Sequence, residues 1–498
     1  MTSIPNRCHR GAAVSALAML AAMALAGGAV APTAAAQQPT QPPAYGARGA
    51  RLEPAATVAA EARREYDAGV VNAEFLNITP ALRHLGRAIE LDSTLTVARV
   101  LRANADAALT PEQRRAEYRR AADGAAARGA DGERQFAAMY LALAERRPKD
   151  ARLLADSLVA RYPGDPRIAL DQANRVSTVE GPRVGIVRIF EVTKKFPEYA
   201  PAYNTLAYAR LAIGDTVGAL AAAAEQVKRA PADQPNPFDS YAEMLMRAGR
   251  LSEADVYYKK SLAAKPEAAL FYFGPAILAQ TRGRGQEARS LLTKGLGLAT
   301  GGDRVTAMEA MAASFLYDGQ RSEAMTRLAQ AAAEADRQQN PELVAEVHGQ
   351  AALIDAALGD GSEAVEHLGR SADADKRTAD YYRAITYAYL HQPDPAREAT
   401  DAVERRMQEE GRVAAVPRVH LLRGLTALYG GDASAALPHL QEASANNVLA
   451  REAMGEAYKK LGKTTEARAM RNRVLAPTTT ADLSDFETVV ARERAKKM

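Results

Sequence analysis

A three-residue mark, repeated along the chain, restricts the fold more than any other feature. Residues 200–231 read APAYNTLAYARLAIGDTVGALAAAAEQVKRAP, with Ala207, Gly214 and Ala219 separated by gaps of seven and five. The next stretch keeps both gaps in Ala242, Gly249 and Ala254, and Pro231 and Pro266 close the two stretches at the same offset. Small residues at the first and third positions let two antiparallel helices approach closely. The glycine between them falls where one helix ends and the chain turns, a place that favours φ > 0. Each proline stops the second helix before the next unit begins.

The mark continues as Ala276/Gly283/Ala288, Ala312/Gly319/Ala324 and Ala352/Gly359/Ala364. It then runs through Ala384/His391/Ala396, Gly424/Gly431/Ala436 and Gly455/Gly462/Ala467, with only His391 replacing the turn glycine. Upstream, Pro163, Pro197 and Pro231 are spaced 34 residues apart. Tyr258, Leu292, Leu328, Leu368 and Leu440 each follow the third mark residue by four, one turn along the same helix face. These residues resemble the tetratricopeptide repeat (TPR), a 34-residue helix–turn–helix unit. The resemblance implies an all-α fold, a solenoid of antiparallel helix pairs wound as a right-handed superhelix. About twelve units are expected over 62–481. The first ends in AIELD-Ser93, and the second, Ala98 to Asp131, carries few of the marked residues.

The N-terminus has a separate character. Arg7 and Arg10 precede an uncharged run from Gly11 to Ala31, and Ala34-Ala35-Ala36 offers an A-x-A site before Gln37. That is the pattern of a secretory signal peptide over 1–36. The alternative is an uncleaved inner-membrane anchor formed by residues 11–31. Both place the rest of the chain outside the cytoplasm, in the periplasm or secreted, because the positive end stays inside. The single cysteine, Cys8, lies before the apolar run and leaves with it on cleavage. Residues 37–61, opening with QQPTQPPAYGARGAR, read as a flexible linker. The tail, 482–498, reads as a capping helix begun by Asp482 or Ser484. Its Phe486, Val489 and Val490 are expected to cover the apolar end of the last unit.

Little in the sequence carries catalytic chemistry. Gly462-Lys463-Thr464 lacks the earlier glycine of a phosphate loop, Ala457 standing there, and it occupies a repeat turn. Gly283 and Gly285 likewise suit a turn better than a dinucleotide fingerprint. No GxSxG elbow appears, and carboxylates alternate with Arg and Lys as on solvated helix faces. His348/His367 and His420/His439 are both separated by 19 residues, at the fourth and twenty-third positions of their units. Folded-back helices would bring such residues together, but no carboxylate or third ligand recurs with them and no HExxH spacing appears. No cofactor or metal is expected. A net charge of +4, with basic residues spread among acidic ones, is too even to read as a nucleic-acid footprint, and no nucleic-acid partner is expected.

The TPR resemblance implies instead a concave groove lined by the first helix of each unit. Carried over position by position, its lining is Phe136, Tyr140, Asn174, Asn204, Tyr208, Asp239, Glu243, Phe273, Ile277, Glu309, Tyr381, Ile385, Leu421, Leu425 and Leu428. Large apolar and aromatic groups at such slots suit an extended peptide or a partner's helix; otherwise they fill space between units. Asp239 and Glu243 stand where a clamp for a C-terminal carboxylate needs positive charge. The expected function is non-catalytic protein binding, as a scaffold or adaptor of the cell envelope. Membrane contact follows only if residues 11–31 are retained. The alternative is a carbohydrate-binding or hydrolytic solenoid using the inner carboxylates and tyrosines.

Overall fold

The computed structural model describes residues 49–55, 57–359, 361–412, 416–443, 447–476, 483 and 485–497. The segment read as an export signal and the first part of the linker lie outside them. Helices α1 (Ala60–Glu74), α2 (Ile78–Leu91), α3 (Thr96–Ala105) and α4 (Pro111–Ala127) form the first two units. Next come α5 (Asp131–Ala144), α6 (Pro148–Arg161), α7 (Pro166–Glu180) and α8 (Pro182–Lys195). Units five and six are α9 (Ala200–Ala212), α10 (Thr216–Arg229), α11 (Asn236–Arg247) and α12 (Leu251–Ala264). A 3-10 turn, Ala269–Tyr272, leads into α13 (Phe273–Thr281) and α14 (Gly285–Leu298). Then follow α15 (Gly301–Tyr317), α16 (Arg321–Arg337), α17 (Pro341–Leu358) and the long α18 (Gly361–Tyr389). The chain finishes with α19 (Pro393–Glu410), α20 (Val416–Tyr429), α21 (Ala433–Glu442), α22 (Val448–Lys460), α23 (Thr464–Leu475) and α24 (Phe486–Lys497).

Helix α18 is two helices in direct succession. Asp375 breaks it with φ −151° and ψ 100°, and its carboxylate accepts from the Thr378 N–H at 3.0 Å, as an N-cap does. Counted this way, α1–α23 make twelve helix pairs and α24 stands alone. The fold is an all-α TPR-like solenoid, with no strand among the described residues.

The mark explains the pairing. Ala207, Ala219, Ala242, Ala254, Ala276 and Ala288 have no exposed surface, because each sits where two helix backbones meet. The bulky partner one turn on, such as Tyr258 or Leu292, is buried beside it. Gly214 and Gly249 end their helices at φ 85° and 77°. His391 adopts the same left-handed conformation at φ 56°, and its Nδ1 lies 3.0 Å from the Tyr429 carbonyl oxygen, which holds the ring in place.

The coil closes on itself. Leu76, in the turn of unit one, packs with Leu270 and Phe271 at the start of unit seven. A Cβ added at Gly301, the start of unit eight, would lie 3.1 Å from the Ala107 carbonyl in unit two. Arg146, in the turn of unit three, donates to Glu342 at the start of unit nine at 2.6 Å. Each contact joins a unit to the one six further on. Residues 50–54 are not the free linker their composition suggests. Leu52 is buried, its N–H donates to Asp165 Oδ2 at 3.2 Å, and Arg167 donates to its carbonyl oxygen at 3.1 Å.

Unit one also meets unit five, four units on, where the Tyr199 hydroxyl donates to Glu74 Oε1 at 3.1 Å. Burial raises this carboxyl from the ordinary 4.5 to about 7, against the pull of Arg167 and the Tyr199 hydrogen bond. The folded chain therefore binds more protons than the unfolded one between pH 4.5 and 7, and this group's contribution falls as pH rises through that window. Glu74→Gln is expected to stabilise the chain at pH 8 by on the order of 2 kcal/mol and leave it unchanged at pH 4. Urea midpoints at the two pH values measure it.

Candidate interaction groove

The first helix of each pair faces the inside of the coil, and the residues assigned to the groove lie on those helices. Phe136 and Tyr140 on α5 are buried, with ring centroids 5.1 Å apart. The Tyr140 hydroxyl donates to Asp171 on α7 at 3.1 Å, and burial pushes the Tyr140 hydroxyl well above its ordinary range. Asn174 on α7 and Asn204 on α9 are half-buried. The Tyr208 hydroxyl donates to Glu243 on α11 at 3.0 Å. Asp239, buried on that helix, has its carboxyl pushed well above the usual range by burial and by neighbouring Glu243. Phe273 on α13 is buried and Ile277 half-buried. Glu309 on α15 accepts from the buried Gln350 at 2.7 Å. From unit three to unit nine the assigned positions thus carry polar contacts between the inner helices of neighbouring units, with Asn174, Asn204 and Ile277 left half-buried.

In the last units the inner face is apolar, and a helix lies on it. Tyr381 and Ile385 on α18, and Leu421, Leu425 and Leu428 on α20, share one core with Leu483, Phe486, Val489, Val490, Ala491 and Ala495. Helix α24 packs on α15, α17, α22 and α23. It therefore fills the concave face of the C-terminal units instead of covering only the end of the last one. Glu487 and Thr488, on what the sequence presents as an outer polar face, are buried as well. Tyr381 donates to Glu487 at 2.7 Å. The expected caps, Asp482 and Ser484, lie outside the described residues. Asp485 accepts from the Glu487 N–H at 3.0 Å.

Sequence reasoning missed the group that fastens this helix. Arg494 donates to Glu452 on α22 at 2.9 Å and to the Tyr429 hydroxyl at 2.7 Å, and its guanidinium stacks 4.7 Å from the Tyr389 ring centroid. Glu452 has no exposed side-chain surface, and burial holds its carboxyl above the usual range despite Arg494. The one signal in the sequence is that FETVVARERA has apolar residues without a clean polar stripe opposite them.

Gly462-Lys463-Thr464 joins α22 to α23 with Gly462 at φ 73°, a helix–helix turn rather than a strand-to-helix phosphate loop. The histidine spacing does produce contacts. His348 and His367 approach with Nδ1···Nδ1 at 3.1 Å, and His420 and His439 at 3.0 Å. Burial and neighbouring His367 push His348 down to about 4. Among the described residues no cluster of three or more His, Cys, Asp or Glu side chains has metal-holding geometry, and no helix is long and apolar enough to cross a membrane.

No family model and no curated protein matches this sequence. Among solved structures it is similar to the APC/C hetero-tetramer Cut9–Hcn1, at 16% identity and TM-score 0.43, covering 85% of this chain and 78% of that one. It is similar to yeast Tom70 at 12% identity and TM-score 0.41, covering 84% and 90%. A Rap protein complexed with competence and sporulation factor matches at 14% identity and TM-score 0.39, covering 63% and 97%. At these scores the likeness is that of one stack of helix pairs to another.

Proposed function

We propose that this chain is a non-catalytic protein-binding scaffold of the cell envelope whose C-terminal units grip a helix of a partner. One observation carries the reading: those units already hold a helix, α24, on their concave face, through an apolar stripe and the Arg494–Glu452 ion pair. A partner helix of the same pattern, two adjacent valines with an aromatic residue three before them and an arginine further on, would meet the same surface once α24 leaves. The export-signal pattern of residues 1–36 supports an envelope location. The glycan-processing alternative is disfavoured, because Asp239 and Glu243 are buried among side chains where no sugar reaches them.

The test keeps the whole chain. A protease site placed at residues 477–482 is cut after folding, and a fluorescent peptide of residues 483–498 is added in excess. Anisotropy is expected to rise as the labelled helix replaces the resident one, and the labelled Arg494→Ala peptide is expected to exchange in at least tenfold more weakly. If the cut chain never accepts the peptide, these units are a closed core and the helix-binding reading fails. Intact mass of the protein from native cells, beginning at Gln37, checks the export signal.

A further inference from the structure

The two histidine pairs occupy the same place in units nine and eleven, and that place has a defined geometry. The fourth and twenty-third positions of a unit lie opposite each other on its two helices. In unit one they hold Glu65 and His84, with Oε2 and Nδ1 2.7 Å apart. In unit six they hold Phe238 and Tyr257, with ring centroids 6.4 Å apart. The backbone brings the two heads together whatever they are, and the residue type decides the chemistry. Twice the chain places imidazoles there, on α17 facing α18 and on α20 facing α21. Both times the rings turn the same nitrogen inward, with Nδ1···Nδ1 of 3.1 and 3.0 Å.

Two nitrogens bound to one ion at about 2.0–2.1 Å are separated by about 2.9 Å at a right angle and about 3.4 Å at the tetrahedral angle. The two observed separations fall inside that interval. Without an ion, one Nδ1 carries the proton and donates it to the other; with an ion, both lone pairs point at it. In the first pair the outer nitrogen of His367 lies 3.8 Å from the buried Asp355 carboxylate, which Arg321 also holds at 2.5 Å, so an acidic group stands behind the ring on the side away from Nδ1. All four rings are half-buried, so an ion can reach them from solvent. Beside the second pair a cleft opens between α19 and α20, lined by Asp401, Glu404, Arg405, Gln408 and Arg423.

We propose that His348/His367 and His420/His439 are two chelating sites, each binding one late first-row divalent ion through both Nδ1 atoms. Water completes the coordination, since no third protein ligand converges among the described residues. Two imidazoles with open positions favour Cu²⁺ and Ni²⁺, followed by Zn²⁺, over Mg²⁺ and Ca²⁺. Each ion links the two helices of one unit, so binding is coupled to folding.

The test is calorimetric titration of the tag-free chain with NiCl₂, alongside His367→Asn, His439→Asn and the double variant. The expected result is two ions per chain for the parent, one for each single variant and none for the double. Ni²⁺ should also raise the parent's Tm, reversed by EDTA, and leave the double variant's Tm unchanged. His84→Asn, which alters the matching place in unit one, should retain both ions. Parent stoichiometry below one, or two ions still bound by a folded double variant, overturns the proposal. The Tm of each variant without metal, within about 3 °C of the parent, establishes that it is folded.

Discussion

Deleting residues 483–498 is expected to strip amide protection from α20–α23 while leaving α5–α10 protected. Leu483, Phe486, Val489 and Val490 are at most 1% exposed, all in the core that α24 joins where it packs on α15, α17, α22 and α23. Burying side chains of these types contributes about 1.5–3 kcal/mol each, so their loss removes roughly 6–12 kcal/mol as an upper estimate. That rivals the whole stability of an ordinary domain, about 5–15 kcal/mol. The same deletion uncovers Tyr381, Tyr389, Tyr429 and Glu452, which α24 contacts through Glu487 and Arg494. The damage stays local because a unit in a solenoid depends on its neighbours, and the helices α24 packs on all belong to later units. Hydrogen exchange read by mass spectrometry resolves the two halves. Unchanged protection in α20–α23 would mean that α24 contributes nothing there, and the view of it as the occupant of this face would be abandoned.

Arg494→Ala is expected to cost about 3–5 kcal/mol, because it leaves the Glu452 carboxylate buried without its cation. The stack on Tyr389 and the hydrogen bond to Tyr429 disappear with it. Glu452 already sits above the usual carboxylate range with Arg494 present, and losing the guanidinium raises it further. A raised acid takes up its proton in the folded state as pH falls, so the variant's deficit is largest at high pH and shrinks toward acid. Adding Glu452→Gln to Arg494→Ala should restore more than half of the loss at pH 8, since a neutral amide is cheaper to bury than an unpaired charge. The chain has no tryptophan, so exchange protection of α22 and α24 reports the effect better than fluorescence. Equal losses in the single and double variants would show that Arg494 acts through packing alone.

The helix pairs were legible because they arise from contacts between residues about 12 apart. Ala242 and Ala254 are buried against each other's helices as their spacing requires, and Gly249 turns with positive φ between them. The histidine pairs were legible for the same reason: positions 19 apart meet whenever one helix folds back on the other. His391 shows how a break in the pattern is absorbed, since the turn keeps its left-handed geometry without glycine.

The groove was not legible to the same degree. Asp239 and Glu243 are charged residues at inner slots, and local periodicity marks such residues as solvent-facing. They are buried because the inner helices of adjacent units pack on them, with Tyr208 of unit five donating to Glu243 at 3.0 Å; more distant parts of the chain meet as well, such as Arg146 and Glu342, 196 residues apart. Repeat spacing sets the pair but not the small rotation from one pair to the next, and that rotation decides whether the coil is open or touches itself. Phe486, Val489 and Val490 were visible as an apolar stripe, and the sequence by itself determined that they must be covered. Which surface covers them, the end of the stack or its inside, was decided only by the tertiary structure, because Arg494 and Glu452 meet across 42 residues when the coil brings the tail back over the last units.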